Sequence, residues 1–168
     1  MASRGFNEKT PALYEITETD IFSLQDFHAK DISVKGVVLG DTPEQVKKKL
    51  GEPDNQFQSV RNRINYEYGK SIGLEDTGLI IQFRYGRVAK MTLKKSFNTF
   101  LKGKTKITHT KEEIYSIFGK PDETLFLPLK QGSTIAIRVL QYQAKGIEVI
   151  IRSGNENGFA LTKVFDSN

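Results

Sequence analysis

Residues 36–54 read GVVLGDTPEQVKKKLGEPD and residues 104–122 read KTKITHTKEEIYSIFGKPD. At an offset of 68, Thr42 falls on Thr110, Glu44 on Glu112, Gly51 on Gly119, Pro53 on Pro121 and Asp54 on Asp122. Val46/Ile114 and Leu50/Phe118 keep their apolar character. The residues that match are those that start and stop a helix. Thr42 and Thr110 are N-cap residues whose hydroxyls accept from an orphan backbone N–H, and Gln45 and Glu113, three positions on, complete a capping box. Pro43 suits the first helical position, Gly51 and Gly119 suit the left-handed C′ position, and Pro53 and Pro121 prevent continuation. Each copy therefore predicts a two-turn helix with Val46 and Leu50, or Ile114 and Phe118, on its buried side.

The offset returns where GLIIQFRYG (78–86) lies on GIEVIIRSG (146–154). Alternation puts Leu79, Ile81 and Phe83, with Ile147, Val149 and Ile151, on one sheet face. Gln82 and Arg84, with Glu148 and Arg152, fall on the other, so one face is covered and one is at least partly wet. Tyr85-Gly86-Arg87 predicts a tight hairpin into a strand over 88–93, whereas SGNENG (153–158) predicts a loop four residues longer leading into 159–165. A preceding strand is expected at 64–68 in copy one and 135–142 in copy two. The resulting fold class is α+β: two αβββ repeats forming an antiparallel sheet with short helices packed on one face. The chain divides into an N-terminal tail and short segment (1–33), repeat one (34–96), a basic connector (97–103) and repeat two (104–168). Ile21, Leu24 and Phe27 indicate a short helix or extended segment outside the repeat.

A chain of 168 residues with 38% hydrophobic residues, 11 Phe and 6 Tyr fills a core without a disulfide or metal staple. The absence of cysteine excludes thiol catalysis, disulfides and cysteine-ligated zinc. No stretch reaches the roughly 18 apolar residues of a membrane-spanning helix. Residues 1–12 are polar and read as a tail, and the chain is expected either to be cytoplasmic or to be the mature part of an exported protein. The net charge of +5 is concentrated: Arg84, Arg87, Lys90, Lys94, Lys95, Lys102, Lys104, Lys106 and Lys111 lie between Gly78 and Lys111 with no acid among them. Outside these nine, 16 basic residues face 20 acidic ones, a net charge of −4.

The phrase Gly36-x-x-Leu39-Gly40-Asp41-Thr42-Pro43-Glu44-Gln45-Val46-x-x-x-Leu50-Gly51-x-Pro53, followed by a tyrosine-containing strand and two hairpin strands, resembles the small repeat of the beta-lactamase-inhibitor-protein-like fold. It is also similar to the outer-membrane assembly lipoprotein family SmpA/OmlA (BamE). The resemblance covers roughly 34–93 and more loosely 104–165. It implies an exported or envelope-associated protein that acts by binding other proteins, with two repeats joined in one sheet. The chain has neither the lipobox cysteine of the lipoproteins nor the cysteine pairs of the inhibitors.

No constellation points to an enzyme. Of the two histidines, His28 and His109, the second flanks the Thr110 cap, and its counterpart in copy one is Asp41. Glu112 and Glu113 belong to a first helical turn, where negative charge complements the macrodipole. Lys102-Gly103-Lys104-Thr105 lacks the glycine of a phosphate-binding loop, because Asn98 stands five residues before Gly103. Lys47-Lys48-Lys49 is a solvated helix face. No catalytic residues, metal ligands or cofactor are expected. Two binding surfaces remain. The wet sheet face, with Ile80, Gln82, Arg84, Glu148, Ile150 and Arg152, has an apolar centre and charged rim suited to a protein partner, unless the N-terminal 35 residues cover it. The basic segment with Lys94, Lys95, Lys102, Lys104 and Lys106, interleaved with Phe97 and Phe100, suits nucleic acid or anionic lipid, unless it serves only as a solvated connector. The protein partner is the leading reading.

Overall fold

A computed structural model describes residues 14–16, 21–24, 26–60, 62–70, 78–94, 109–127, 132 and 136–166. The N-terminal part contributes strands β1 (Tyr14–Glu15) and β2 (Ile32–Ser33), which pair in parallel, and 3₁₀ turns at Ile21–Ser23 and Ala29–Asp31. Repeat one follows as α1 (Pro43–Leu50), β3 (Asn55–Val60), β4 (Arg63–Tyr68), β5 (Leu79–Arg84) and β6 (Arg87–Lys94). Repeat two is α2 (Lys111–Phe118), β7 (Glu123–Leu127), β8 (Ile137–Tyr142), β9 (Ile147–Arg152) and β10 (Asn155–Thr162).

Both capping boxes form as the helix-start signals require. The Thr42 hydroxyl accepts from Gln45 N at 3.2 Å while Gln45 Oε1 accepts from Thr42 N at 2.8 Å, and Thr110 and Glu113 repeat both bonds at the same lengths. The helix ends differ from the expected left-handed cap. Gly51 (φ 84°, ψ −171°) and Gly119 (φ 82°, ψ −167°) combine positive φ with extended ψ, a region open in practice only to glycine. That conformation turns the chain directly into the next strand. The carbonyl of each glycine then accepts from a buried tyrosine, Tyr68 at 3.0 Å and Tyr142 at 2.9 Å. The shared aspartate closes the corner: Asp54 Oδ2 accepts from Gly69 N and Lys70 N, and Asp122 Oδ2 accepts from Gln143 N. Gly-x-Pro-Asp is thus a helix-to-sheet corner tied to the next hairpin.

All eight longer strands form one antiparallel sheet in the order β3-β4-β5-β6-β10-β9-β8-β7. Each repeat has one strand more than expected, because Asn55–Val60 and Glu123–Leu127 pair at the outer edges. Those strands were hidden from alternation by lying at an edge, where every β3 residue is exposed. The long loop expected at 153–158 does not exist. Tyr85-Gly86 and Ser153-Gly154 make equivalent two-residue turns, all four residues at positive φ, and β10 begins directly at Asn155. Even the irregularity that follows is repeated: the register shifts between Gln82 and Phe83 opposite Ala89, and between Ile150 and Ile151 opposite Asn157, again 68 positions apart.

One register row crosses the whole sheet: Asn55, Glu67, Ile80, Thr92, Ala160, Glu148, Gln141, Glu123. Its members are repeat equivalents read outward from the centre, so an approximate twofold axis passes between Thr92 and Ala160. The helices lie on one face, where Val46 and Ile114 are fully buried against Leu79, Ile81, Met91, Leu93, Val149 and Leu161. The N-terminal segment joins this same core through Ile16, Phe22, Phe27, Ile32 and Val34. Phe22 stacks on His109 at 4.2 Å and meets Phe159 edge-on at 5.8 Å. The N-terminal residues therefore complete the helix side of the sheet, and the described ones do not cover the wet face.

Candidate binding face

Opposite residues in adjacent antiparallel strands share a face, so the registers define the open side. It carries Phe57, Arg63, Asn65, Glu67, Ile80, Gln82, Arg84, Lys90 and Thr92 from repeat one, and Ala160, Glu148, Ile150, Arg152, Val139, Gln141 and Leu125 from repeat two. Alternation assigned Gln82, Arg84, Glu148 and Arg152 to this side, and here they stand. Their arrangement is less compact than adjacency in sequence suggests. Strands β6 and β10 run between β5 and β9, so Thr92 and Ala160 separate Ile80 from Glu148, and Ile80 makes no contiguous patch with Ile150. Since β5 and β9 are antiparallel across three pairings, Arg84 and Arg152 lie at opposite ends of the sheet.

Polar chemistry concentrates at the Arg84 end. Glu148 is only 4% exposed, and its carboxylate accepts from Lys90 Nζ at 3.0 Å and from Gln141 Nε2 at 2.9 Å. After β10 the chain turns back, with Lys163 N donating to Ala89 O, and carries Asp166 onto the open face. Asp166 Oδ1 receives Arg84 Nη2 at 3.1 Å and Arg63 Nη2 at 3.4 Å, and Lys90 Nζ stands 3.9 Å from Oδ2. Its backbone carbonyl accepts from Gln141 Nε2 at 2.9 Å. Burial raises the Asp166 pKa, but the Lys90 charge, the Arg84 hydrogen bond and the two guanidinium charges outweigh it and hold the carboxyl below its usual range. Thus the wet face is partly covered by residues 163–166, and not by the described residues of the N-terminal segment.

Beside this cluster lies a shallow pocket lined by Val60, Asn62, Arg63, Arg84 and Tyr85. Its apolar rim is open, with Tyr85 81% and Val60 52% exposed. Two residues beyond Arg63 on β4, Asn65 is 5% exposed and its Oδ1 has no hydrogen-bond partner among the described residues. Arg63, Asn65, Gln141 and Asp166 were not singled out from sequence, and Lys90 was noted there only as part of the basic stretch from Gly78 to Lys111. Alternation places Arg63 and Asn65 on one face once β4 is drawn to Arg63, and Lys90 likewise on β6, but nothing in the sequence signals that Asp166 folds back over them.

The other polar clusters are structural. His109 Nδ1 lies 3.0 Å from Glu156 Oε1, and Glu156 N donates to His109 O. In copy one Asp41, the His109 equivalent, accepts from Lys49 Nζ at 2.7 Å while Val88 N donates to Asp41 O. In both copies a backbone bond, Val88 N to Asp41 O or Glu156 N to His109 O, ties the helix start to the hairpin of its own repeat. Among the described residues no group of three His, Cys, Asp or Glu is placed to hold a metal ion, and no helix is long and apolar enough to cross a membrane. Of the basic segment, Lys94 closes β6 half-exposed, while Lys95, Lys102, Lys104 and Lys106 lie outside the described residues.

No protein family matches the chain, and no curated protein does either. Among solved structures it is similar to a DUF4309 family protein of Bacillus subtilis, at 15% identity over 73% of this chain and 78% of that one, with a TM-score of 0.43. A cysteine-rich secretory protein of Staphylococcus aureus is 14% identical over 90% of this chain and 50% of that one, with a TM-score of 0.49. A candidate beta-lactamase inhibitor protein of Streptococcus mutans is 15% identical over 71% of this chain and 81% of that one, with a TM-score of 0.28. These are likenesses of fold at low identity, and fold alone does not fix function.

Proposed function

We propose that this protein is a non-enzymatic binding module that presents the open face of its eight-stranded sheet to a protein partner, in an exported or envelope-associated setting. One observation carries the reading: helices and the N-terminal segment complete one face, while the other keeps guanidinium groups, an open pocket and exposed apolar side chains within one patch. A charged rim beside Tyr85 and Val60 is the composition of a protein-binding surface, in which aromatic and arginine anchors dominate. The setting rests on the resemblance of the Gly36–Pro53 phrase to envelope proteins.

Arg84 and Arg152 mark the two ends of the face, so reversing each separately maps where a partner sits. With the chain as bait and in-cell crosslinking, Arg84→Glu is expected to abolish capture of whatever the unaltered chain retains. Capture unchanged in both Arg84→Glu and Arg152→Glu would remove the sheet face as the binding surface.

A further inference from the structure

The contact between Asp166 and the open face is an incomplete fit. Arg–carboxylate pairs are strongest when two N–H groups of one guanidinium meet two carboxylate oxygens at about 2.7–2.9 Å. Here two guanidiniums converge on one oxygen at 3.1 and 3.4 Å, and Lys90 is drawn away to Glu148 at 3.0 Å. The Asp166 side chain stays 45% exposed, while Arg84 and Lys90 are only 20% and 14% exposed. The cations belong to the rigid sheet; the carboxylate arrives on a tail of four residues beyond β10. Three cations against two carboxylates leave the cluster one positive charge in excess. Chain contacts also show what class of molecule fits. Gln141 donates to the Asp166 backbone carbonyl beside the carboxylate contact. A peptide supplies a side-chain carboxylate and a backbone carbonyl at that spacing, whereas a free phosphate supplies no backbone carbonyl. The pocket rimmed by Tyr85 and Val60 accommodates an apolar neighbour of the acid.

We infer that Arg63, Arg84 and Lys90 form a carboxylate clamp for an acidic peptide segment of a partner protein, and that Asp166 occupies it as an internal stand-in which the partner displaces. The inference rests on the protein-binding reading of the same face. An internal competitor lowers apparent affinity by the fraction of time the clamp is closed, so removing it raises affinity for an external peptide.

The probe is the chain's own 162–168 sequence, TKVFDSN, acetylated, amidated and fluorescently tagged, so that its aspartate is the one carboxylate. Binding to the full chain is followed by fluorescence anisotropy. Asp166→Asn is expected to bind it roughly tenfold more tightly than the unaltered chain. The peptide with Asn in place of its aspartate is expected to bind neither, and adding Arg84→Gln or Arg63→Gln to Asp166→Asn is expected to remove binding. Thermal melting checks that each variant folds. Equal affinity for the two chains, equal affinity for the two peptides, or no binding at millimolar peptide each overturns the clamp. Displacement of the peptide by a ten-residue oligothymidylate at equal concentration overturns it too, since the clamp would then read phosphate. Loss of partner capture in Arg84→Glu without peptide binding leaves the sheet-face reading standing and the clamp fallen. Peptide binding with capture unchanged in both Arg84→Glu and Arg152→Glu does the reverse.

Discussion

Gly119 shows how one residue sets a corner. Its φ of 82° and ψ of −167° lie where a Cβ clashes with its own backbone, yet nothing else stands within 4 Å of where that Cβ would point. The cost of Gly119→Ala is therefore backbone strain alone, about 1–3 kcal/mol, seen as a lower urea midpoint with unchanged slope. Gly51 has the same angles and the same open surroundings, and Gly51→Ala should match it. A much smaller loss at both would mean that the corner relaxes to an ordinary left-handed cap. The glycines themselves were legible in the sequence as helix stops. Their extended ψ was not, because it is set by Tyr68 and Tyr142 drawing the carbonyls inward from a strand that follows many residues later.

At the scale of elements, each helix has eight residues, too short to persist alone in water. The capping box and the buried valine or isoleucine hold it. Thr110→Ala removes the hydroxyl that accepts from Glu113 N and is expected to lower stability by about 1 kcal/mol, measured by chemical unfolding. Glu113, whose carboxyl the Thr110 backbone and side-chain hydrogen bonds hold below its usual range, would lose part of that depression in the variant. Helices and central strands were legible because caps, turns and alternation are local signals. Edge strands β3 and β7 were not: with neither face fully buried, they carry no alternation to detect. The hairpin at Ser153-Gly154 was misread for a different reason. The polar run SGNENG has loop composition, yet Glu156 is buried beside His109 and Asn155 pairs with Arg152, so tertiary contacts overrode composition.

The whole molecule depends on the seam where β6 meets β10 and the two repeats become one sheet. Gly158 sits opposite Lys94 there, and a Cβ on it would fall 2.6 Å from the Leu93 carbonyl oxygen, a backbone atom of the neighbouring strand. Gly158→Ala must push the strands apart and is expected to cost about 1–3 kcal/mol, with hydrogen exchange quickening first at the seam amides of 90–94 and 158–162. Uniform protection across the sheet in that variant would show that the repeats do not meet through this contact. The sequence by itself determined that there are two copies, where each helix begins and ends, and which strand residues face the core, since these follow from side-chain size, hydroxyl caps and backbone freedom within a few positions. Only the tertiary structure decided that the copies join through their last strands about a twofold axis, which separates Arg84 from Arg152. It also decided that Asp166 folds over Arg63, Arg84 and Lys90. Those contacts join residues more than seventy positions apart, and charge attraction across such a separation leaves no period, cap or turn residue in the chain to announce it.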